Sequence, residues 1–127
     1  MKKLVQGENI LIYIKTTFNN TIFTLTNSQG QVLNWASAGS CGFKGSRKST
    51  AFAAKKSAEI FIKKSLDSIS RCSQIKICVS GIGLGRENAL RSVVNLIEKP
   101  HKQKIRAIRE ISKIPHNGCR PPKKRRL

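Results

Sequence analysis

Residues 10–26 read ILIYIKTTFNNTIFTLT, two β-branched and aromatic stretches on either side of a pair of asparagines. Such side chains fit a pleated sheet, so we predict strands over 10–14 and 21–26. Asn19 and Asn20 tolerate positive φ and predict a tight hairpin turn between these strands. A further turn and a third predicted strand over 32–36 extend the hairpin into an antiparallel meander.

After the meander, the chain changes to helical patterning. Residues 38–49, AGSCGFKGSRKS, are small, polar and basic, which is typical of a loop. Beyond them, the predicted buried face of a helix comprises Ala54, Ala58, Phe61, Ile62 and Ser65. We expect Ser49 or Thr50 to cap this helix, and Glu59 to pair with Lys63 one turn later on its exposed face.

A second strand and helix follow. Apolar Ile75, Ile77 and Val79 predict a fourth strand, which leads into a glycine-rich stretch at 81–86. The apolar side of the next helix comprises Ala89, Leu90, Val93, Val94 and Ile97. Pro100 is expected to end that helix.

Residues 102–111 allow two interpretations. Ile105, Ile108 and Ile111 are three apart, which suits a helix, whereas a fifth strand would complete the sheet.

The chain is strongly basic, with 25 Lys and Arg against six Asp and Glu and a formal net charge of +19 over 127 residues. Repulsion at this level favours any polyanion that relieves it, so nucleic acid is the leading partner. Residues 101–127 hold ten Lys or Arg and one acid. A second cluster, opposed only by Glu59, comprises Lys44, Arg47, Lys48, Lys55, Lys56, Lys63 and Lys64.

The four cysteines show no CxxC motif and no histidine pair at zinc-ligand spacing. Cys78 alternates with Ile77 and Val79, which indicates a small buried thiol rather than a metal ligand. No apolar run approaches the length of a membrane span, and MKKLVQGENI at 1–10 lacks the pattern of a cleavable signal. We therefore expect a soluble protein of a reducing compartment, with no membrane partner, metal or cofactor.

Both glycine-rich stretches precede predicted helices, an arrangement in which backbone N–H groups can approach a phosphate closely. Lys44, Arg47 and Lys48 lie on the first stretch, where their mutual repulsion needs an external anion to offset it. For GIGLGRE at 81–87, two interpretations stay open: a plain tight turn, or contact of Arg86 with an RNA phosphate. Its glycine spacing does not fit a dinucleotide fingerprint.

Two aromatic residues near the first glycine-rich stretch are candidates for stacking on exposed bases. The commoner place for such residues is the core, so we predict that Trp35 is buried there. Phe43 stays open between core and surface.

The C-terminal stretch PHNGCRPPKKRRL, residues 115–127, contains no acid and little that could pack in a core. Its prolines forbid a helix and favour an extended backbone, and Gly118 offers a place to turn. His116 and Asn117 can bond to phosphate, sugar or base edges. We interpret the segment as RNA-binding, with a solvated tail or a nuclear-transport signal as the alternatives.

The sequence offers little for catalysis. A metal-dependent nuclease needs carboxylates on neighbouring strands, and Glu110 is the only acid on a possible strand. His101 and His116 have no cysteine or serine arranged for nucleophilic attack. We therefore predict that the protein is not an enzyme and has no small-molecule substrate.

Four motifs stand out: FNNTI at 18–22, WASAGSCGFKGSRKST at 35–50, GxGxGRE at 81–87 and IPHNGCRPPKKRRL at 114–127. Together they resemble the universal family of small-subunit ribosomal protein eleven, in its bacterial or organellar form, from about residue 10 to the end. Ser80 and Ile82 stand where the family usually has the Lys and Pro of Lys-Gly-Pro-Gly. The phosphate contact that the usual lysine would make is therefore not an expectation for this chain, although Arg86 is retained.

The resemblance implies an α/β fold with a mixed five-stranded sheet and two helices, of ribonuclease H-like shape. It implies one RNA-binding domain over 1–113 and an extended basic RNA-binding tail over 114–127. The residues expected to contact RNA are Asn19, Asn20, Lys44, Arg47, Lys48, Arg86, His116, Asn117, Arg120, Lys123, Lys124, Arg125 and Arg126.

The resemblance also implies a function, that of a structural constituent of the small ribosomal subunit. The family binds small-subunit ribosomal RNA at the platform, near the exit path of messenger RNA, beside small-subunit proteins seven and eighteen. Abundant Lys, Ile, Asn and Ser resemble the composition of organelle-encoded members of the family. We expect a mitochondrial ribosome, with a plastid ribosome and then the bacterial cytoplasm as the alternatives. The alternative functions are a free-standing basic protein that packages DNA and a nuclease descended from a similar sheet.

Overall fold

The computed structural model describes residues 7–97 and 101–127. Its elements are β1 (Ile10–Thr16), β2 (Thr21–Asn27), β3 (Val32–Ser37), a 3-10 helix (Gly45–Ser49), α1 (Ala51–Arg71), β4 (Ile75–Ser80), α2 (Arg86–Leu96), a second 3-10 helix (His101–Lys104) and β5 (Ile105–Glu110). The predicted α/β class, the mixed five-stranded sheet and the two helices are confirmed. Helix α2 ends at Leu96, and the predicted stop at Pro100 lies outside the described residues.

The sheet has the order β3-β2-β1-β4-β5. Strand β2 is antiparallel to β1 and β3, whereas β4 is parallel to β1 and β5. Four strands therefore run in the same direction, and their carboxyl ends meet at one edge. We call this the loop edge; it carries residues 17–20, 38–50, 81–85 and 111–127.

A single core lies between one face of the sheet and the two helices, which pack against each other. Its fully buried large side chains include Ile10, Ile12, Ile14, Phe23, Leu25, Phe61, Ile69, Ile75, Ile77, Val93 and Ile97. The rings of Phe23 on β2 and Phe61 on α1 stack with their centroids 5.5 Å apart. The opposite sheet face has neither helix over it.

Helix α1 has the predicted buried face and start. The Thr50 hydroxyl accepts a hydrogen bond from the Ala53 N–H at 3.2 Å, so Thr50 rather than Ser49 is the cap. The predicted pair of Glu59 with Lys63 is wrong. Glu59 instead contacts Lys56, one turn earlier, at 3.4 Å.

The expected location of Trp35 in the core is wrong, because its side chain is 54% exposed. Strand alternation explains the difference. The next residue, Ala36, pairs with Phe23 and faces α1, so Trp35 points to the opposite face beside Thr24.

The hairpin between β1 and β2 is confirmed, but its turn chemistry differs from the prediction. Among the described residues other than glycine, only Asn117 has positive φ, so neither Asn19 nor Asn20 does. The turn is closed by the Thr17 N–H, which donates to the Asn20 carbonyl at 2.8 Å. The Asn20 side chain accepts from the Thr21 N–H at 2.9 Å, so these residues act through hydrogen bonds.

Residues 105–110 form the fifth strand that the family resemblance implied. A bulge lies where Ile75 pairs with Ile105 and Ile77 with Ile108. A step of two residues along β4 thus matches a step of three along β5, so Ile105 and Ile108 lie on the same side of the sheet although their spacing is helical. Ile105 packs against the core, whereas Ile108 on this outer strand is 54% exposed.

All four cysteines are free, and Cys78 is buried as predicted. Burial raises the pKa of the Cys72 thiol, and the charge of Lys104 partly offsets this effect. Within residues 7–97 and 101–127, no cluster of His, Cys, Asp and Glu is arranged to hold a metal ion. In the same residues, no helix combines the length and apolar character needed to cross a membrane.

The stacked pair in the core gives a stability prediction. We expect Phe61→Ala to lower the free energy of unfolding by about 3–5 kcal/mol, because it removes a buried ring and leaves a cavity. Leu66→Ala, on the same helix at a side chain 47% exposed, should change it by less than about 1 kcal/mol. Urea unfolding followed by circular dichroism measures both, and equal losses would contradict the assigned core.

Candidate nucleic-acid interface

The loop edge brings together segments that are far apart in the sequence. Gly39 shows this contact directly: a Cβ placed on it would lie 3.4 Å from Lys48 Cδ and 3.8 Å from Asn20 Nδ2. The β1–β2 turn and the first glycine-rich stretch therefore pack side by side. The predicted RNA-contact residues Asn20 and Lys48 become neighbours in space.

The second glycine-rich stretch packs on the other side of the same turn. Gly81 has φ of +86°, and a Cβ on it would overlap the Thr16 carbonyl oxygen. A Cβ on Gly83 would lie 2.5 Å from the Thr17 carbonyl oxygen. Close packing therefore accounts for these glycines without a phosphate, which favours the interpretation of GIGLGRE as a tight turn.

Arg86 connects this stretch to the start of the C-terminal tail. Its Nη1 donates to the Gly81 carbonyl at 2.9 Å, and its Nη2 forms an ion pair with the Glu110 carboxylate. Ser112 continues the network, because its N–H donates to Glu110 at 3.0 Å and its hydroxyl accepts from the Gly81 N–H at 2.8 Å. Arg86 thus has a structural role, and its contact with an RNA phosphate stays a prediction.

The cations of the first glycine-rich stretch take part in no ion pair within the part of the chain that the structure describes. Lys44 precedes the 3-10 helix, and Arg47 and Lys48 lie on its last turn. The ion pairs of residues 7–97 and 101–127 are Lys56–Glu59, Arg71–Asp67 and Arg86–Glu110. Since none of these neutralises the stretch, its positive charge is available to an external anion.

An aromatic pair lies next to these cations. The rings of Phe43 and Phe52 meet edge to face with centroids 6.1 Å apart, and Phe52 is 61% exposed. Together with Arg47 they line an open cleft, and Lys56 Nζ lies 5.7 Å from the Phe52 centroid. The sequence analysis missed Phe52. Its position outside the apolar stripe of α1 could have indicated that its ring is exposed.

Further apolar side chains on the loop edge face solvent. Phe18, Ile82 and Leu84 are each at least 75% exposed. Ile82 and Leu84 alternate with glycines in a turn, which was the signal that they do not belong to a core. They add apolar contact area to an otherwise polar and basic edge.

The tail leaves the loop edge after Ser112, and every residue from 113 to 127 is exposed and outside any helix or strand. The tail bends at Asn117, whose φ is 58°, and at Cys119, rather than at Gly118. The tail residues expected to contact RNA, all exposed, are His116, Asn117, Arg120, Lys123, Lys124, Arg125 and Arg126. The predicted domain boundary between residues 113 and 114 stays a prediction.

These features define a class: a small basic α/β protein whose loops and tail present unneutralised cations at one edge. A family model described as "Ribosomal protein S11" matches residues 10–126, and the chain belongs to this family. The family consists of structural, non-enzymatic components of the small ribosomal subunit that bind RNA.

Curated relatives cover almost the whole chain, and each is called "Small ribosomal subunit protein uS11c". The protein of Tupiella akineta is 49% identical over 127 residues, which cover 100% of this chain and 90% of the relative. That of Tetradesmus obliquus is 50% identical over 117 residues, or 92% and 85% of the two chains. That of Oltmannsiellopsis viridis is 51% identical over 115 residues, or 91% and 84%. These relatives support membership of the organellar type of the family.

The packing of the two loops gives a second prediction. Gly83→Ala should lower the free energy of unfolding by about 1–3 kcal/mol, because its Cβ would press on the Thr17 carbonyl. Gly118→Ala, in open space with no atom within 4 Å, should change it by no more than about 0.5 kcal/mol. Thermal or urea unfolding compares the two, and an undisturbed Gly83→Ala protein would disprove the close approach.

Proposed function

We propose that this protein binds small-subunit ribosomal RNA with the loop edge and the C-terminal tail together. We place this contact at the platform of the subunit, near the exit path of messenger RNA and beside small-subunit proteins seven and eighteen. The observation that carries the proposal is the convergence of the β1–β2 turn, both glycine-rich stretches and the tail at one edge of the sheet.

The electrostatics of the edge support a polyanionic ligand. The chain has a net charge of +19, and three of its acids already pair with Lys56, Arg71 and Arg86. Nine of the remaining cations lie on the loop edge, where bound phosphates would relieve their mutual repulsion and release the counterions condensed on the RNA.

The residues of the loop edge, and Phe52 at the adjacent start of α1, fit distinct parts of RNA. Lys44, Arg47 and Lys48 are suited to phosphates, and the exposed ring of Phe52 is suited to an unpaired base. Asn19 and Asn20 offer amide groups to sugar or base edges. The tail supplies His116 and Asn117 for the same purpose and five cations over 120–127 for phosphates.

For the compartment, we propose a plastid ribosome. The relatives carry the suffix that marks the chloroplast form, which supports an organellar ribosome and fits the plastid alternative of the sequence analysis. The mitochondrial ribosome that the sequence analysis preferred has no support among these relatives. Fractionation of organelles from the source cells on sucrose gradients tests this, with the protein expected beside plastid small subunits.

The tail generates a third prediction. Deleting residues 120–127 should weaken binding to a small-subunit ribosomal RNA transcript and to unrelated RNA alike. It should also reduce the slope of log K against log salt by up to ~4–5 units, at about 0.9 per lost phosphate contact. Titrations between low and moderate salt measure this slope, and an unchanged slope would exclude the tail as an anchor.

A charge-matched pair of variants controls for net charge. Replacing Arg125 and Arg126 with Gln should cost up to about 2 units of slope. Replacing Lys63 and Lys64 on the outer face of α1 removes the same charge and should leave the slope nearly unchanged. Tighter binding of the full chain to duplex DNA than to the transcript would support the DNA-packaging alternative instead.

Cys119 is a natural reporter of tail contacts and gives a fourth prediction. Its exposed thiol should react with an aromatic disulfide reagent well before the buried Cys72, because the raised pKa of Cys72 lowers its thiolate fraction. Bound RNA should slow modification of Cys119. Equal rates with and without the transcript would mean that the tail stays in solvent.

A further inference from the structure

The sheet face opposite α1 and α2, which we call the open face, has a regular pattern of side chains. Strand registers place one residue from each strand in a single row, in the order Trp35, Thr24, Tyr13, Cys78 and Arg109. Paired residues of neighbouring strands share a face, so all five side chains lie on the open face. The row holds the only Trp and the only Tyr of the chain.

Three cations lie near Tyr13, at the middle of this row. Lys15 lies two positions after Tyr13 on β1, and Lys76 lies two positions before Cys78 on β4. At about 4.8 Å between strands and 3.3 Å per residue, each falls within roughly 10 Å of Tyr13, as does Arg109 two strands away.

Acids are absent from the open face as far as the described strands go. Glu110 is the one acid in them, and its pairing with Val79 places it on the helix side. In the described part of the chain, none of Lys15, Lys76 and Arg109 takes part in an ion pair. The face therefore combines aromatic rings with charge of a single sign.

Of the two aromatic residues in the row, Trp35 is the more accessible. Trp35 is 54% exposed and Val32 beside it is 53% exposed, while Tyr13 is half-buried in the middle of the sheet. Trp35 and Tyr13 are separated by one strand, which sets them roughly 10 Å apart. An extended single strand of RNA can span that distance with successive or alternate bases.

We propose that the open face is a second RNA-binding surface, separate from the loop edge, which takes unpaired nucleotides. Bases stack on Trp35 and Tyr13, and the backbone phosphates lie against the three cations, Lys15, Lys76 and Arg109. Sheet aromatics stack unpaired bases readily, and such stacking tolerates any sequence because every base has a π face. Uniform positive charge favours this ligand over a protein surface, which would ordinarily mix both signs.

The inference rests on the proposed function in that the ligand is RNA, but it uses different residues. Its test is therefore independent of the loop edge and the tail. Because Trp35 is the only tryptophan, its fluorescence reports this face alone.

The first experiment titrates the full-length protein with a uridine decamer and with the small-subunit transcript. We expect Trp35 emission to be quenched by both, because a stacked base quenches the indole. Emission that stays constant while the transcript binds would overturn the inference.

The second experiment uses paired substitutions. Trp35→Leu and Tyr13→Leu should each weaken decamer binding about 5- to 150-fold, the range measured for loss of one base–aromatic stack. Trp35→Phe and Tyr13→Phe keep a ring and should retain most of the affinity. Leu66→Ala, on the outer side of α1, is the control and should bind as the unchanged protein does.

The outcomes separate the two proposals. If the Leu variants bind RNA normally while the tail truncation weakens binding, the open face is not an RNA site and the loop edge remains one. If no form of the protein prefers RNA, the proposed function itself fails. If the Leu variants bind RNA normally but lose association with another ribosomal protein, the open face is a protein interface and the inference is overturned.

Discussion

The pairing of β1 with both of its neighbours is the constraint on which the rest of the structure depends. Antiparallel pairing with β2 and parallel pairing with β4 make β1 the centre of the sheet, and Ile10, Ile12 and Ile14 are fully buried along it. The parallel pairing requires a crossover connection. Helix α1 provides it by returning the chain from the loop edge to the amino ends of the parallel strands, where β4 begins. Every loop that follows β1, β3, β4 or β5 must then open on the same side.

That geometry keeps the residues that stabilise the fold apart from the residues proposed to bind RNA. The apolar core lies between the helices and one sheet face, whereas the cations lie outside it, nine of them on the loop edge and its tail. The acids pair mainly with cations of the helices, as in Lys56–Glu59 and Arg71–Asp67. The fold can thus carry a net charge of +19 because the repulsion acts at its periphery, where solvent and bound phosphates screen it.

Local sequence patterns predicted the elements well where one face of an element is buried. The stripe of α1 around Phe61 is such a case, because a core on one side imposes helical spacing. The fifth strand could not be derived this way, since the bulge gives Ile105 and Ile108 the spacing of a helix. Trp35 was misplaced because its hydrophobicity suggested burial, whereas its location follows from the alternation set by Ala36.

The sequence predicted which cations belong to the candidate site, but not which segments of the chain come into contact there. Charge and glycine content singled out Lys44, Arg47 and Lys48, whereas the contacts among Gly39, Lys48 and Asn20 depend on sheet order, which local patterns do not contain. Arg86 illustrates the same limit. Its tie to Glu110 requires that β4 and β5 be parallel neighbours.

The ion pair of Arg86 with Glu110 also fixes the point from which the C-terminal tail extends. Arg86, Glu110 and Ser112 hold the point at which the tail departs, so residues 113–127 start from a fixed origin. Fifteen residues of extended chain span roughly 50 Å, whereas five strands measure only about 20 Å across. A molecule of this size therefore has a reach more than twice the width of its own sheet, and it can join parts of a large assembly that its folded body could never touch at once.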